Sequence, residues 1–313
     1  MKNLATKIIK YSRSTLLLSK EFGIKYGLYF AIGKIFKSQE YKTRKMAIKI
    51  LDKELSKLIT LEDIKPKSPT TPVLPKRIFV FWATGYDSAP QLVKDNFARL
   101  KKYYPDYEIY FLDQRIIKDF VTIDKNIMSL FDKGLISIQT FSDILRFNLI
   151  YQKGGIWVDS TLAFFDRFDF DFIFKEAGFL TLNQAKSPKP DEHFFYKVYE
   201  VTWTSYLMGG EKGNKIAEMC VRFYNYFYSI HKTAIDYLMT DYFLCLCSLY
   251  NINNASLKRI PLLKGTAYYL WDHLRDSQIN KSEIKVIPQK LTYKDEKMLA
   301  IYYASKVKLG SLI

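Results

Sequence analysis

Asp143 and Arg146 stand three residues apart in "FSDILRFNLIYQKGGIWVDST", residues 141–161, and the stretch closes on Asp159 with Thr161 two positions later. On a helix, residues three apart share a face, while Leu145, Leu149 and Ile150 fall in a different sector suited to a core. The pattern predicts a helix over about 138–153. Gly154 and Gly155 let the chain leave that helix, because glycine tolerates positive φ, and Gly155 leaves room for a ligand near the backbone. In the strand "IWVDS" side chains alternate, which sets Trp157, Asp159 and Thr161 on one side. An acid at the C-terminal end of an inner parallel strand lies where open α/β sheets bind ligands. Asp143, Arg146 and Asp159 then converge on one crevice. Carboxylates accept sugar hydroxyls and can hold Mg²⁺ or Mn²⁺ against phosphate oxygens, and arginine donates in a fork. The set therefore suits a polyol attached to a diphosphate. A surface Asp–Arg pair followed by a plain glycine turn gives the same letters, and such a pair contributes only about 0.3–0.5 kcal/mol.

The elements that must position these groups are legible on both sides. "RIFVFWATG", residues 77–85, is a β-branched and aromatic run ended by glycine, hence a buried first strand entering a loop. A helical stretch with Leu92, Val93, Phe97 and Leu100 on one side follows, then a second strand, "YEIYFLD", over 107–113. Strand, helix and strand with short links predict a βαβ unit and a mainly parallel α/β sheet. Further on, "TSYLMGGEKGNKIAEMCVRFYNYFYSI" predicts a strand or turn and then a helix, "MTDYFLCLCSLYN" another helix, and "VIPQKLTYK" a return towards the sheet or its rim. Four prolines in "IKPKSPTTPVLPKR" predict an extended linker. The chain thus divides into a basic helical region over 1–63, a linker over 64–76 and an α/β domain over 77–313.

The 313 residues are 48% hydrophobic and 26% charged, a globular composition. Of the net charge of +16, the first 67 residues supply +10, from sixteen Lys/Arg against six Asp/Glu. A basic segment attracts phosphates of any kind. No zinc-ligand spacing or RNA-recognition motif accompanies it, and it lies outside the α/β domain, so nucleic acid is not the expected partner. Residues 21–36 are apolar and aromatic with Lys25 and Lys34 inside them. They are too interrupted to span a bilayer and are placed too late for an ordinary signal peptide. They suit either a helix in the membrane interface or one packed on the main domain. Three cysteines, Cys220, Cys245 and Cys247, suggest reduced thiols. His193, His231 and His273 lie far apart without triad spacing.

The stretch "SDILRFNLIYQKGGIWVDST" resembles the motif of the capsular polysaccharide synthesis proteins, relatives of the family 32 glycosyltransferases. It is also similar, more distantly, to the sugar-transferring domains of large clostridial toxins. The shared pattern is Ser-Asp, an Arg three after the Asp, Gly-Gly, an aromatic, and an Asp-x-Asp turn. The likeness extends over about residues 74–294, through the first βαβ unit, "TDYFL" and "KLTYK". It implies a GT-A type nucleotide-binding fold, a donor such as a UDP-sugar, and retention at the anomeric carbon. Carried onto this chain, it implies that Asp143 and Arg146 grip the donor sugar and diphosphate, with Asp159 near ribose, sugar and metal. Phe81 and Trp82 would approach the base, with a core role as the alternative, and Asp113 would contact the nucleotide. Thr161 stands where the second Asp of the motif is found, a hydroxyl that can bind Mg²⁺ but brings no charge. The expected cofactor is Mn²⁺ or Mg²⁺ on Asp159 and Thr161. Asp241 is a candidate acceptor or metal contact, or else a helix N-cap.

The implied activity is transfer of a sugar to a growing, lipid-linked bacterial surface polysaccharide, on the inner face of the cell membrane, with the basic N-terminal region on anionic lipid. The alternative is a sugar-nucleotide-binding or scaffolding protein of a polysaccharide assembly complex, without turnover.

Overall fold

The computed structural model describes residues 2–65, 73–184, 203–276 and 279–305. Residues 66–72 of the expected linker and His193 lie outside them. The centre is a five-stranded sheet in the order β2-β1-β3-β7-β5, made of β1 (Arg77–Phe81), β2 (Glu108–Leu112), β3 (Gly155–Val158), β5 (Leu180–Thr181) and β7 (Leu207–Gly210). β1 pairs parallel with β2 and β3, whereas β7 runs antiparallel to both β3 and β5. Four strands therefore point one way and only β7 is reversed. Ile78, Phe79, Val80 and Phe81 in β1, and all of β3 and β7, are buried. Both faces of the sheet are covered, which is why these strands read as unbroken apolar runs. Two small ladders flank the sheet: β4 (Leu162–Ala163) with β9 (Gln289–Lys290), antiparallel, and β6 (Asn183–Gln184) with β8 (Leu262–Leu263), parallel.

The helix that carries the Asp–Arg pair runs Ile138–Lys153; it is the motif helix below. Ser137 caps it by accepting the Thr140 amide. Gly154 ends it at φ 68, and Gly155 starts β3 at φ 117. A Cβ on Gly154 would meet the Lys212 nitrogen at 2.6 Å, and one on Gly155 would meet the Arg77 carbonyl at 2.7 Å. The room expected for a ligand at Gly155 is thus filled by β1. This glycine lets two strands approach and does not line the cleft described below.

The N-terminal helices α1 (Lys2–Phe22), α2 (Ile24–Ile35) and α3 (Glu40–Leu55) pack on the α/β body. The buried Tyr26 donates to the Ile235 carbonyl at 2.8 Å, Tyr250 donates to Asp52 at 2.8 Å, and Arg222 meets the buried Asp63 at 2.7 Å. The same hairpin still leaves Ile9, Leu16, Ile24, Leu28 and Phe36 exposed. Among the described residues, no helix is long and apolar enough to cross a membrane. The three cysteines are buried, and none forms a disulfide among the described residues.

At the seam between hairpin and body, the His231 ring lies against Phe22 (4.7 Å) and Phe227 (4.6 Å), with Nδ1 3.5 Å from Glu21. Burial pushes its pKa below the ordinary 6.5, against the opposing pull of Glu21. The unfolded chain then binds more protons than the folded one. This contribution to stability is full above pH 6.5 and is lost as pH falls through the lower folded value. Unfolding free energy should therefore decline between about pH 7 and pH 5. Urea titrations across that range should show the decline flattened in His231→Phe; an unchanged slope would assign it to other groups.

Candidate active site

One side of the motif helix faces a cleft at the C-terminal ends of β1 and β3. Arg146 Nη2 lies 2.8 Å from Asp143 Oδ1, and Nη1 donates to the Ser205 carbonyl. The guanidinium sits 5.2 Å from the Trp157 ring centre, so the aromatic of β3 forms its floor. The other oxygen of Asp143 accepts from Thr240 Oγ1 at 2.8 Å, and Tyr224 shares a 2.6 Å hydrogen bond with the same hydroxyl. The Arg146 side chain is 6% exposed and that of Asp143 19%. Burial pushes the Asp143 carboxyl above its ordinary range, with Asp159 adding to the rise and Arg146 and Thr240 opposing it.

The second half of the site is a turn. β3 ends at Val158, and the Leu162 amide bonds back to the Asp159 carbonyl at 2.8 Å. Thr161 therefore reaches Asp159 by folding back, not by the strand alternation expected from the sequence. Its amide and hydroxyl lie 3.3 and 3.4 Å from Asp159 Oδ1. Lys290 of β9 completes the group: its Nζ is 2.5 Å from Asp159 Oδ2 and 2.5 Å from Thr161 Oγ1. Burial would raise the Asp159 carboxyl, but Lys290 outweighs it, aided by Arg146 and the Thr161 amide, and holds it below its ordinary value.

Asp143, Arg146, Asp159 and Thr161 line a single cleft of about 830 Å³, within the usual range for small-molecule sites. Phe81, Trp82 and Asp241 line it as well. Phe81 is mostly core, packed near Phe141 and Trp157, whereas Trp82 is half-buried and meets Tyr293 edge-on at 5.2 Å. Asp241 is not the cap of its helix, Met239–Leu249; Leu238 is, and the Asp241 carboxylate accepts the Trp203 indole N–H at 2.9 Å. Asp113 is not among the residues that line the cleft; it accepts the backbone amide of Arg115 and pairs with its guanidinium at 2.5 Å. Sequence reasoning missed Thr240, Tyr293 and Lys290. The last two sit in "KLTYK", a stretch that drew notice without any role for its side chains.

The sequence profile of the capsular polysaccharide synthesis proteins matches residues 29–305. The chain belongs to this family. The match takes in α3 and most of α2, beyond the likeness over residues 74–294. No curated protein matches the chain. Among solved structures, the PaToxG glycosyltransferase is similar at 15% identity and a TM-score of 0.35, over 88% of this chain and 99% of that one.

The metal implied for Asp159 and Thr161 can be tested against the donors present in this member of the capsular polysaccharide synthesis family. They offer one carboxylate and one hydroxyl, and both already contact the Lys290 ammonium. Among the described residues, no three His, Cys, Asp or Glu side chains converge as a metal site. A dication placed there would face a cation at contact distance, so these residues do not fit a resident divalent ion.

Removing one member of the Asp143–Arg146 pair strands the other in a site short of water. Arg146→Met should cost about 3 kcal/mol of unfolding free energy, and the double variant Asp143→Leu/Arg146→Met should recover part of it. Denaturant titration of the two proteins checks this; a double variant no more stable than the single one would refute the pairing.

Proposed function

We propose that the chain is a glycosyltransferase of GT-A type, which moves a sugar with retention from a nucleotide donor, such as a UDP-sugar, to a growing lipid-linked capsular or surface polysaccharide. The observation that carries this reading is the convergence of Asp143, Arg146, Asp159 and the aromatic pair Trp82–Tyr293 on one cleft at the C-terminal ends of β1 and β3. Membership of the capsular polysaccharide synthesis family gives the cleft its biological setting.

Each residue has a task in that reaction. Trp82 and Tyr293 offer ring faces and edges to the base. Asp143, with one oxygen on Arg146 and the other on Thr240, keeps lone pairs for sugar hydroxyls. Of the five N–H donors of Arg146, three are engaged, by Asp143, Ser205 and, at 3.4 Å, Ser142. Two remain for the leaving diphosphate, where negative charge grows as the glycosidic bond to phosphate breaks. That charge is met by a fixed donor, so little reorganisation is needed in the transition state.

Purified protein incubated with UDP-, GDP- and dTDP-sugars should release nucleoside diphosphate from one donor. Asp159→Asn should lower that rate by about 100-fold or more. Tight donor binding with no release, even with acceptor lipid present, would favour the non-catalytic scaffold. If no sugar nucleotide binds, the transferase reading fails.

The acceptor brings the membrane into the proposal. On the hairpin α1–α2, the exposed Ile9, Leu16, Ile24, Leu28 and Phe36 lie among the exposed Lys10, Arg13, Lys20 and Lys25. Apolar side chains interleaved with cations are the chemistry that settles on an anionic lipid surface, here the inner face of the cell membrane. In co-sedimentation with vesicles containing 30% anionic lipid (roughly a surface of this charge class), Ile24→Asp/Leu28→Asp should bind at least about tenfold more weakly. Equal binding by the variant would exclude this face.

A further inference from the structure

We infer that Lys290 supplies the positive charge which a divalent ion would otherwise bring to the leaving diphosphate, so that this chain binds its nucleotide without a metal. The inference rests on the transferase reading above and deepens it.

Lys290 is placed by the fold, not by chance contact of a surface side chain. It lies in β9, paired with Leu162 of β4, the strand that directly follows the Asp159–Thr161 turn. Its own amide donates to the Ala267 carbonyl at 2.6 Å, and the next amide, of Leu291, donates to the Thr161 carbonyl at 3.0 Å. On the other side Gln289 is fully buried, accepting the Leu270 amide at 2.9 Å and donating to the Ile287 carbonyl at 2.9 Å. The lysine backbone is thus held on both flanks. Its side chain, 18% exposed, passes the Tyr206 ring at 5.3 Å and ends on Asp159 and Thr161.

The charge arithmetic matches the residue types. Two aspartates around a dication sum to zero. Asp159, the neutral Thr161 and the Lys290 ammonium also sum to zero. The lysine thus supplies the charge balance that a second carboxylate with a dication would give. An ammonium has three N–H donors, of which Asp159 and Thr161 occupy two. The third remains for a phosphate oxygen entering the cleft that Lys290 lines. Lys294, also on the cleft wall and exposed, has no carboxylate partner within ion-pair distance among the described residues. It adds a second cation at the same rim. A divalent ion on Asp159 would first have to displace the ammonium and would then be repelled by it.

The test uses the whole chain and three free nucleoside diphosphates, UDP, GDP and dTDP, as probes. Calorimetric titration in EDTA and in 1 mM Mn²⁺ (about a saturating level for a carboxylate site) should show binding in EDTA at least as tight as in Mn²⁺ for the nucleotide that binds, since Mn²⁺ chelated by the free diphosphate only competes with a metal-free site. Lys290→Gln should weaken binding by about ten- to a hundredfold in EDTA, the loss of one charge-assisted hydrogen bond. The wild-type comparison holds whether or not the variant folds. Binding abolished by EDTA, or tightened more than about tenfold by Mn²⁺, would overturn the Lys290 assignment and leave the transferase reading standing. So would stoichiometric Mn²⁺ uptake by the nucleotide-free protein, followed by electron paramagnetic resonance and lost in Asp159→Asn. If no nucleotide binds in either buffer, the transferase reading fails and the assignment falls with it.

Discussion

A guanidinium that water barely reaches has to be matched on several sides, or it destabilises everything around it. Around Arg146 the matches come from four parts of the chain. Asp143 lies one turn back on the motif helix, the Ser205 carbonyl leads into β7, Trp157 of β3 lies under the plane, and Thr240 braces Asp143 from a later helix. None of these segments can shift without leaving a charge or a carbonyl unpaired. The Gly154–Gly155 step follows from the same demand. It brings β3 against β1 closely enough for Trp157 to lie beneath the helix that precedes it. The geometry of the candidate site and the packing of the core are here one set of contacts.

Much of that geometry was readable in the sequence because it is local. The motif helix, with its Ser137 cap and glycine exit, falls over the predicted span, and β1 and β2 pair in parallel as the βαβ pattern required. The reversed β7 was not readable. Its sequence, Leu-Met-Gly-Gly, is short and buried on both sides, and no periodicity in four residues tells a strand its direction. Thr161 was assigned to the correct side for the wrong reason, since the turn after Val158 and not strand alternation returns it to Asp159. Asp113, a nucleotide contact by the resemblance, is not among the residues that line the cleft and is paired with an arginine two residues on.

Lys290 shows the limit most clearly. A lysine in a two-residue strand carries no signal of its own, and its partner lies 131 positions earlier. What was visible was the gap it answers, a hydroxyl at Thr161 where an acid was expected. A deviation from a motif is often half of a pair, and the compensating residue is found by asking which charge the site now lacks.

The distance between those two halves also has a meaning in time. A ribosome adding roughly 5–20 residues per second needs on the order of ten seconds to travel from Asp159 to Lys290. Throughout that interval the emerging chain already holds the acid turn and its helix but not the strand that closes them. The cleft therefore cannot close until the chain has been made through Lys290, and a chain cut short before that point by premature termination would carry the motif without ever having owned the site.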